Sequence, residues 1–274
     1  MSRRSRWLAL LLTLLLAAPG WGQAKKKLLL VGQGPDGHPP ETHEYLPGIK
    51  VLGRCLEKVS DLEVTAVDAT GAWKNGPELI ERSDAVVLFV SEGAKWVQAD
   101  PERHKALANL AQRGGGLVCL HWAMGTKDAE PIAGYLKLFG GCHGGPDRKY
   151  AVVEVQAELA DPKHPLAAGI GNFKVKDEFY YRLKFVQPAG SVKPVLQVQI
   201  EGQKETVAWS WERPDGGRSF GFSGLHFHAN WKLPEYRRLV AQGTLWTLKL
   251  PIPKDGLAVE VKVEDLVIPK PPGK

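Results

Sequence analysis

The segment Ser223-Gly224-Leu225-His226-Phe227-His228-Ala229-Asn230-Trp231 concentrates reactive groups more than any other stretch of the chain. Two of the eight histidines stand two residues apart there, behind an apolar run and ahead of an amide and an indole. An imidazole is neutral near pH 7, so it can move a proton or give a lone pair to a metal ion. In a strand, residues i and i+2 share a face, and His226 and His228 would aim together; at a strand end, one of them would turn onto a loop instead. Other segments supply matching pieces. Cys119-Leu120-His121-Trp122-Ala123 puts an imidazole where an apolar run stops, the kind of strand-to-helix corner at which several α/β enzyme classes display a nucleophile. Gly140-Gly141-Cys142-His143-Gly144-Gly145 reads as a flexible loop whose backbone can approach a ligand closely around His143. Asp177-Glu178-Phe179-Tyr180-Tyr181-Arg182 brings carboxylates and phenols together, and in a strand only one alternating set can face a site. The favoured set is Glu178 with Tyr180.

A Gly- and Pro-rich loop, Gly32-Gln33-Gly34-Pro35-Asp36-Gly37-His38, follows the first apolar run, with His43 shortly after. It has neither the spacing of a dinucleotide fingerprint nor the lysine of a phosphate loop. Gly-x-Ser-x-Gly and His-Glu-x-x-His are both absent, which excludes the commonest serine hydrolases and zinc proteases. His164-Pro165-Leu166 reads as a turn before a strand.

The elements that must carry these groups alternate. Lys27 to Gly32, Leu62 to Val67, Ala85 to Val90 and Gly116 to His121 are strand-like apolar runs. Between them lie helical patterns over Leu46 to Val59 and from Pro101, with Asp100 as cap and Gly114 as stop. A short helix is expected over Ala129 to Phe139. Four such alternations argue for a parallel, doubly wound sheet. From Tyr150 the character changes: Ala151 to Val155 and Thr206 to Trp211 alternate like antiparallel strands. Pro234 to Leu248 is the last helix, Leu257 to Val267 can add an edge strand, and the Pro- and Lys-rich end reads as loose.

Residues 1–24 read as a secretory signal peptide, with Arg3, Arg4 and Arg6 ahead of the apolar stretch Trp7 to Ala18 and small residues Gly22 and Ala24 near a cleavage point. The expectation is a secreted or periplasmic protein with no membrane-spanning segment after cleavage. Removing the three leader arginines lowers the formal charge of +6 to about +3, with signs mixed along the chain. That disfavours nucleic acid as a partner. Three cysteines, Cys55, Cys119 and Cys142, are too few for a disulfide framework; one bridge to Cys142 stays open, and Cys142 is the only one suspected of reactivity.

Taken together, Gly114-Gly115-Gly116-Leu117-Val118-Cys119-Leu120-His121-Trp122-Ala123, His164-Pro165-Leu166 leading to Asp177-Glu178-Phe179-Tyr180, and Ser223-Gly224-Leu225-His226 leading to Trp231 and Gly243-Thr244-Leu245-Trp246 resemble the ThuA-like family, named for trehalose utilisation, of the class I glutamine amidotransferase-like superfamily. The resemblance covers about Lys25 to Leu250, leaving 251–274 as a C-terminal extension. It implies a flavodoxin-like three-layer α/β/α sandwich with a mostly parallel central sheet and antiparallel additions in the second half. By the same comparison His121 stands where amidotransferases carry their cysteine, and His228-Ala229-Asn230 (or, with a slip of two, His226) stands at their later histidine. Glutamine hydrolysis is therefore not expected. The family is associated with oxidised disaccharides, especially those with a ketone at C3, whose neighbouring C2–H is acidic. That chemistry needs a base and a group to polarise the ketone. The expected catalytic residues are His121, His226, His228 and Glu178, and the expected sugar-binding residues are His43, Trp122, His143, Tyr180, Asn230 and Trp231. Zn²⁺ or another divalent transition ion on His121, His226 and His228 is the cofactor that such a set can take. The competing class is a non-catalytic carbohydrate-binding protein, and a homo-oligomer is left open.

Overall fold

The computed structural model describes residues 24–269. The expected leader, apart from Ala24, and the last five residues of the Pro- and Lys-rich end lie outside the described residues. In chain order the first half comprises β1 (Lys26–Gly32), α1 (Tyr45–Leu56), β2 (Leu62–Asp68), α2 (Gly76–Glu81), β3 (Ala85–Phe89), α3 (Gly93–Gln98), α4 (Pro101–Gln112) and β4 (Gly116–Leu120). Then come β5 (Gly125–Thr126), α5 (Ile132–Phe139), β6 (Gly141–Gly144), β7 (Lys149–Leu159), β8 (Phe173–Tyr181) and β9 (Lys184–Phe185). The last group is β10 (Lys193–Ile200), β11 (Gln203–Glu212), β12 (Arg218–Phe222) and α6 (Pro234–Thr247).

Nine strands form one sheet in the order β2-β1-β3-β4-β12-β11-β10-β7-β8. From β2 to β12 all neighbours are parallel, and from β12 to β8 all are antiparallel. The residues of β3 and β4 are buried throughout, as expected for parallel strands covered on both faces. One covering layer is α1 with α6; the other is α2, α3, α4 and α5, packed on one another. The fold is thus a flavodoxin-like α/β/α sandwich extended by an antiparallel half. Local signals explain the elements well. Asp100 caps α4 by accepting from the Glu102 and Arg103 amides, Pro101 opens it, and Gly114, at φ 78°, carries the turn beyond it. Among the described residues no helix is long and apolar enough to cross a membrane.

Three expectations are corrected. The Gly140–Gly145 stretch is not a flexible loop: Gly141–Gly144 is a buried strand between β5 and β9. Cys142 is consequently inaccessible and burial pushes its thiol up to about 12, so it is not a reactive group. All three cysteines are free. Finally, Leu257 to Val267 forms no strand. Its backbone is satisfied by side chains of α6 instead: Arg237 donates to the Val259 carbonyl, Arg238 to that of Leu257, and the Leu257 amide donates to Gln242. A 3-10 turn over Val263–Leu266 then brings Asp265 to Arg54 of α1.

Candidate functional site

The order β2-β1-β3-β4 reverses between β1 and β3, and in such sheets ligands bind beyond the carboxyl ends of the strands at that reversal. The loops after β1, β3, β4 and β12 open there. β4 ends directly on His121, which holds a left-handed backbone (φ 48°) at the start of a 3-10 turn. His43 (φ 53°) and Leu225 (φ 77°) share this unfavourable region. Three non-glycine residues held this way in one place are backbone strain concentrated where side chains must be aimed.

The far edge of the sheet is brought in by one carboxylate. Asp177, in β8 and fully buried, accepts from the Leu225 amide at 2.7 Å, the Tyr236 hydroxyl at 3.0 Å and the Phe227 amide at 3.4 Å. Burial raises it to about 6. Gly224 must be glycine for this contact, since a Cβ there would lie 3.0 Å from Asp177 Oδ2 and 2.6 Å from Phe222. With β8 anchored, its next residue on the other face, Glu178, points into the carboxyl-end cleft together with Tyr180.

Four side chains from four segments converge: His43, His121, Glu178 and His226. His43 Nε2 lies 3.0 Å from His121 Nε2 and 3.1 Å from His226 Nδ1, which is 3.3 Å from His121 Nε2. Glu178 Oε1 stands slightly apart, 3.4 Å from the His226 nitrogen and 4.0 Å from that of His121. The Tyr180 hydroxyl is 3.1 Å from His121 Nε2. The hydrogen-bond network assigns the tautomers. His121 Nδ1 faces the Ser223 carbonyl at 2.8 Å, which can only accept, so Nδ1 carries the hydrogen. His43 Nδ1 likewise faces the Asp36 carboxylate at 3.0 Å. Both Nε2 lone pairs therefore point at one spot with no hydrogen between them. Tetrahedral zinc, with bonds near 2.0–2.1 Å, separates its nitrogen ligands by about 3.3 Å. The three imidazoles thus fit the ligand set of one divalent transition ion, with Glu178 beside it.

Electrostatics favour the ligand form. Burial, with the charge of His43 and His226 adding to it, holds His121 well below the usual imidazole range, and burial lowers His43 as well. Burial and the neighbouring His43 take His226 down to about 4. Burial and the charge of Asp177 raise Glu178 to about 7. Asp36 is opposite in sign: burial pushes it up, but hydrogen bonds from His43, Tyr45 and His38 hold it well below the carboxylate range.

A cleft of about 230 Å³ adjoins the cluster, walled by Trp122, His143 and Tyr180 and reaching Glu92, Lys127 and Arg148. His143 stacks on Tyr180 with ring centroids 4.0 Å apart, and Tyr180 stacks on His121 at 4.5 Å.

Of the sequence-derived site residues, the structure brings His43, His121, Glu178 and His226 into one cluster, and Trp122, His143 and Tyr180 into the cleft wall. It does not bring the other three. His226 lies on the loop after β12 and His228 opens a 3-10 turn: Leu225 turns left-handed and Phe227 bridges Thr42, so the two rings diverge. His228 donates from Nε2 to the Leu266 carbonyl of the C-terminal extension, 3.1 Å away, and the third imidazole of the cluster is that of His43. Asn230 is half-buried and donates to the Lys176 carbonyl, and Trp231 is wholly buried in the core. The sequence reading assigned no role to Asp36, His38 or Tyr45. Asp36 accepts from His38 Nδ1 at 2.7 Å and from the Tyr45 hydroxyl at 2.6 Å. The signal that could have found them is position, since this loop follows the strand next to the reversal.

A flavodoxin-like sheet with a histidine at the β4 corner and a polar cluster at the carboxyl edge defines the class. A family model described as ThuA, trehalose utilisation, matches residues 35–247, and the chain belongs to that family. The fold is similar to that of a ThuA-like protein from Bacteroides uniformis (14% identity, 84% of this chain and 94% of that one, TM-score 0.64). It is also similar to a ThuA-like protein from Parabacteroides merdae (16%, 82% and 90%, 0.59) and a cytoplasmic protein from Salmonella typhimurium (14%, 81% and 98%, 0.53). No curated protein matches the chain in sequence. Membership of this family suggests a carbohydrate-related role.

Proposed function

We propose that the protein is a metal-assisted enzyme that transfers protons on an oxidised glycoside carrying a ketone at C3. The observation that carries this reading is the convergence of three imidazole nitrogens, those of His43 and His121 with their lone pairs aimed inward, and a carboxylate in a cleft at the carboxyl edge of the sheet. In this reading His43, His121 and His226 hold the ion, which supplies Lewis acidity toward a carbonyl oxygen. Glu178 stands farther from the imidazole nitrogens than they stand from one another, and its affinity for protons is matched to neutral solution, so it is the base that takes the C2 proton. As the C2–H bond breaks, its electron pair forms the C1–C2 double bond and the C1–O bond breaks, the departing oxygen taking up a proton. If the group at C1 stays, reprotonation elsewhere gives an isomer. Tyr180, its hydroxyl in the cluster, is placed to donate a hydrogen bond to a substrate oxygen.

The test is turnover of the 3-keto derivative of trehalose by the metal-loaded protein. Glu178→Gln should keep the ion and lower kcat by about 10²–10⁴, the range for removing a general base. Chelation should abolish turnover and re-addition of the ion restore it. Binding of the sugar without turnover would instead favour a carbohydrate-binding protein. The proposal includes export through residues 1–24, which cell fractionation and the mature N-terminus check.

A further inference from the structure

A second cavity shares a wall with the cleft: Asp36, His38 and His43 line both. At about 550 Å³ it falls within the roughly 300–1,000 Å³ of small-molecule sites. The two spaces differ in chemistry. The cleft offers a ligand Ser91, Glu92, Lys127, Arg148 and Glu178. The cavity offers Pro35, Pro40, Leu46, Pro47, Ile268 and Pro269. Polar side chains on its wall are already engaged by the protein. Gln33 accepts from the Ser91 amide, Thr42 donates to the Pro39 carbonyl, Glu44 accepts from the Glu41 amide and the Tyr45 hydroxyl donates to Asp36. Glu41 and Lys50 are exposed and keep their charges in water. A sugar hydroxyl buried there would lose its water and gain no partner, whereas an apolar group only gains by leaving solvent. One wall comes from the start of α1 and the other from Ile268 and Pro269 of the C-terminal extension. Those two residues lie beyond the 35–247 that match the family, so the extension, not the shared domain, closes the cavity. Asp265 on Arg54 and the Leu266 carbonyl on His228 hold the extension in place.

We propose that this cavity takes an apolar group, alkyl or aryl, joined to C1 of the oxidised sugar, while the sugar ring itself lies in the polar cleft. The inference rests on the reaction proposed above and names its substrate class: an amphipathic glycoside, not a disaccharide. The glycosidic linkage crosses the shared wall at His38. That ring is fixed by the Asp36 carboxylate at its Nδ1 and by stacking on His43, with centroids 3.6 Å apart.

The experiment compares parent, Ile268→Asp and Ile268→Leu as full-length, metal-loaded protein. The probes are methyl and butyl 3-keto-glucoside, whose alcohols leave equally readily. A fully buried methylene is worth about fourfold, so the three extra ones should raise the parent's kcat/KM by about ten- to sixtyfold. Ile268→Asp should bring the butyl-to-methyl ratio close to one, and Ile268→Leu should keep it. Equal kcat/KM on both probes in the parent overturns the inference, a result that needs no variant to fold. A ratio that survives Ile268→Asp overturns it too. Calorimetric titration with unoxidised butyl glucoside, methyl glucoside and trehalose separates the cavity from the reaction. If neither keto-sugar turns over, the proposed reaction falls, and a butyl preference in binding that disappears in Ile268→Asp still supports the cavity. Trehalose bound as tightly as butyl glucoside overturns it. A parent dimer that Ile268→Asp dissociates, with the butyl-to-methyl ratio unaltered, assigns the apolar wall to a second copy of the chain and also overturns it.

Discussion

Replacing Asp36 by Ala tests how the cluster is aimed. Asp36 touches none of the other ligands; it holds His43 Nδ1 at 3.0 Å and so leaves the Nε2 lone pair facing His121 and His226. Removing such a carboxylate behind a ligating histidine typically lowers metal affinity 10- to 100-fold, about 1.4–2.7 kcal/mol. Here the Tyr45 hydroxyl lies 2.8 Å from the same nitrogen and can accept its hydrogen once the carboxylate is gone. The loss for Asp36→Ala should therefore fall near tenfold, and Tyr45→Phe in the same chain should carry it toward a hundredfold. The assay is competition for zinc against a fluorescent chelator at pH 7. Stability follows a separate course. Because the folded carboxyl is held below its unfolded value, its contribution is complete above about pH 5 and fades as the pH falls below about 4. Parent and Asp36→Ala should thus differ by about 1.5–3 kcal/mol at neutral pH, as expected for hydrogen bonds to a charged group, and converge in acid. Zinc binding by Asp36→Ala as tight as the parent's would show that the imidazole needs no carboxylate behind it and that Asp36 does not aim the cluster.

Glu178→Gln should stabilise the metal-free protein. Its carboxyl rises from the ordinary 4.5 to about 7 in the fold, so the parent loses stability as pH rises between those values; the variant should gain up to about 3 kcal/mol at pH 8 and nothing at pH 4, read from urea midpoints in chelator. Gly224→Ala should cost about 1–3 kcal/mol by calorimetry, because its Cβ meets Phe222 and the Asp177 carboxylate that fastens the His226 loop. His228→Ala should leave metal affinity within about twofold while lowering the melting temperature slightly, since its bond to the extension is a single neutral one worth about 1 kcal/mol; a large affinity loss would mean that the ring visits the cluster.

Much of the fold was legible because its signals are local. The uninterrupted apolar runs of β3 and β4, the Asp100-Pro101 start of α4 and the Gly114 turn each state their own structure. His121 was legible for the same reason, as the residue on which a buried strand ends. The alternation of Glu178 with Tyr180 in β8 selected the face that the structure turns toward the cleft. The remaining site depends on long-range events. Nothing near Asp177 in sequence announces that it will bond Leu225 and Tyr236 and draw the sheet's far edge over the cleft. Of the two arrangements open for His226 and His228, the turn at a strand end is the one found, because the chain leaves β12, twists at Leu225 and is pinned by Phe227 to Thr42, none of which the segment itself announces. Trp231 looked like a sugar platform by type and place, yet it fills the core beneath α1, where Gly48 leaves room for its indole. Composition cannot distinguish a ring that packs from a ring that waits for a ligand.

The most direct measurement is the metal content of the purified protein, by elemental analysis after zinc loading and desalting, in the parent and in single alanine variants of His43, His121, His226 and His228. About one ion per parent chain is expected, with a much reduced content when His43, His121 or His226 is removed and full content when His228 is removed. No stoichiometric ion in the parent, or loss in His228→Ala as deep as in the other three, would contradict it.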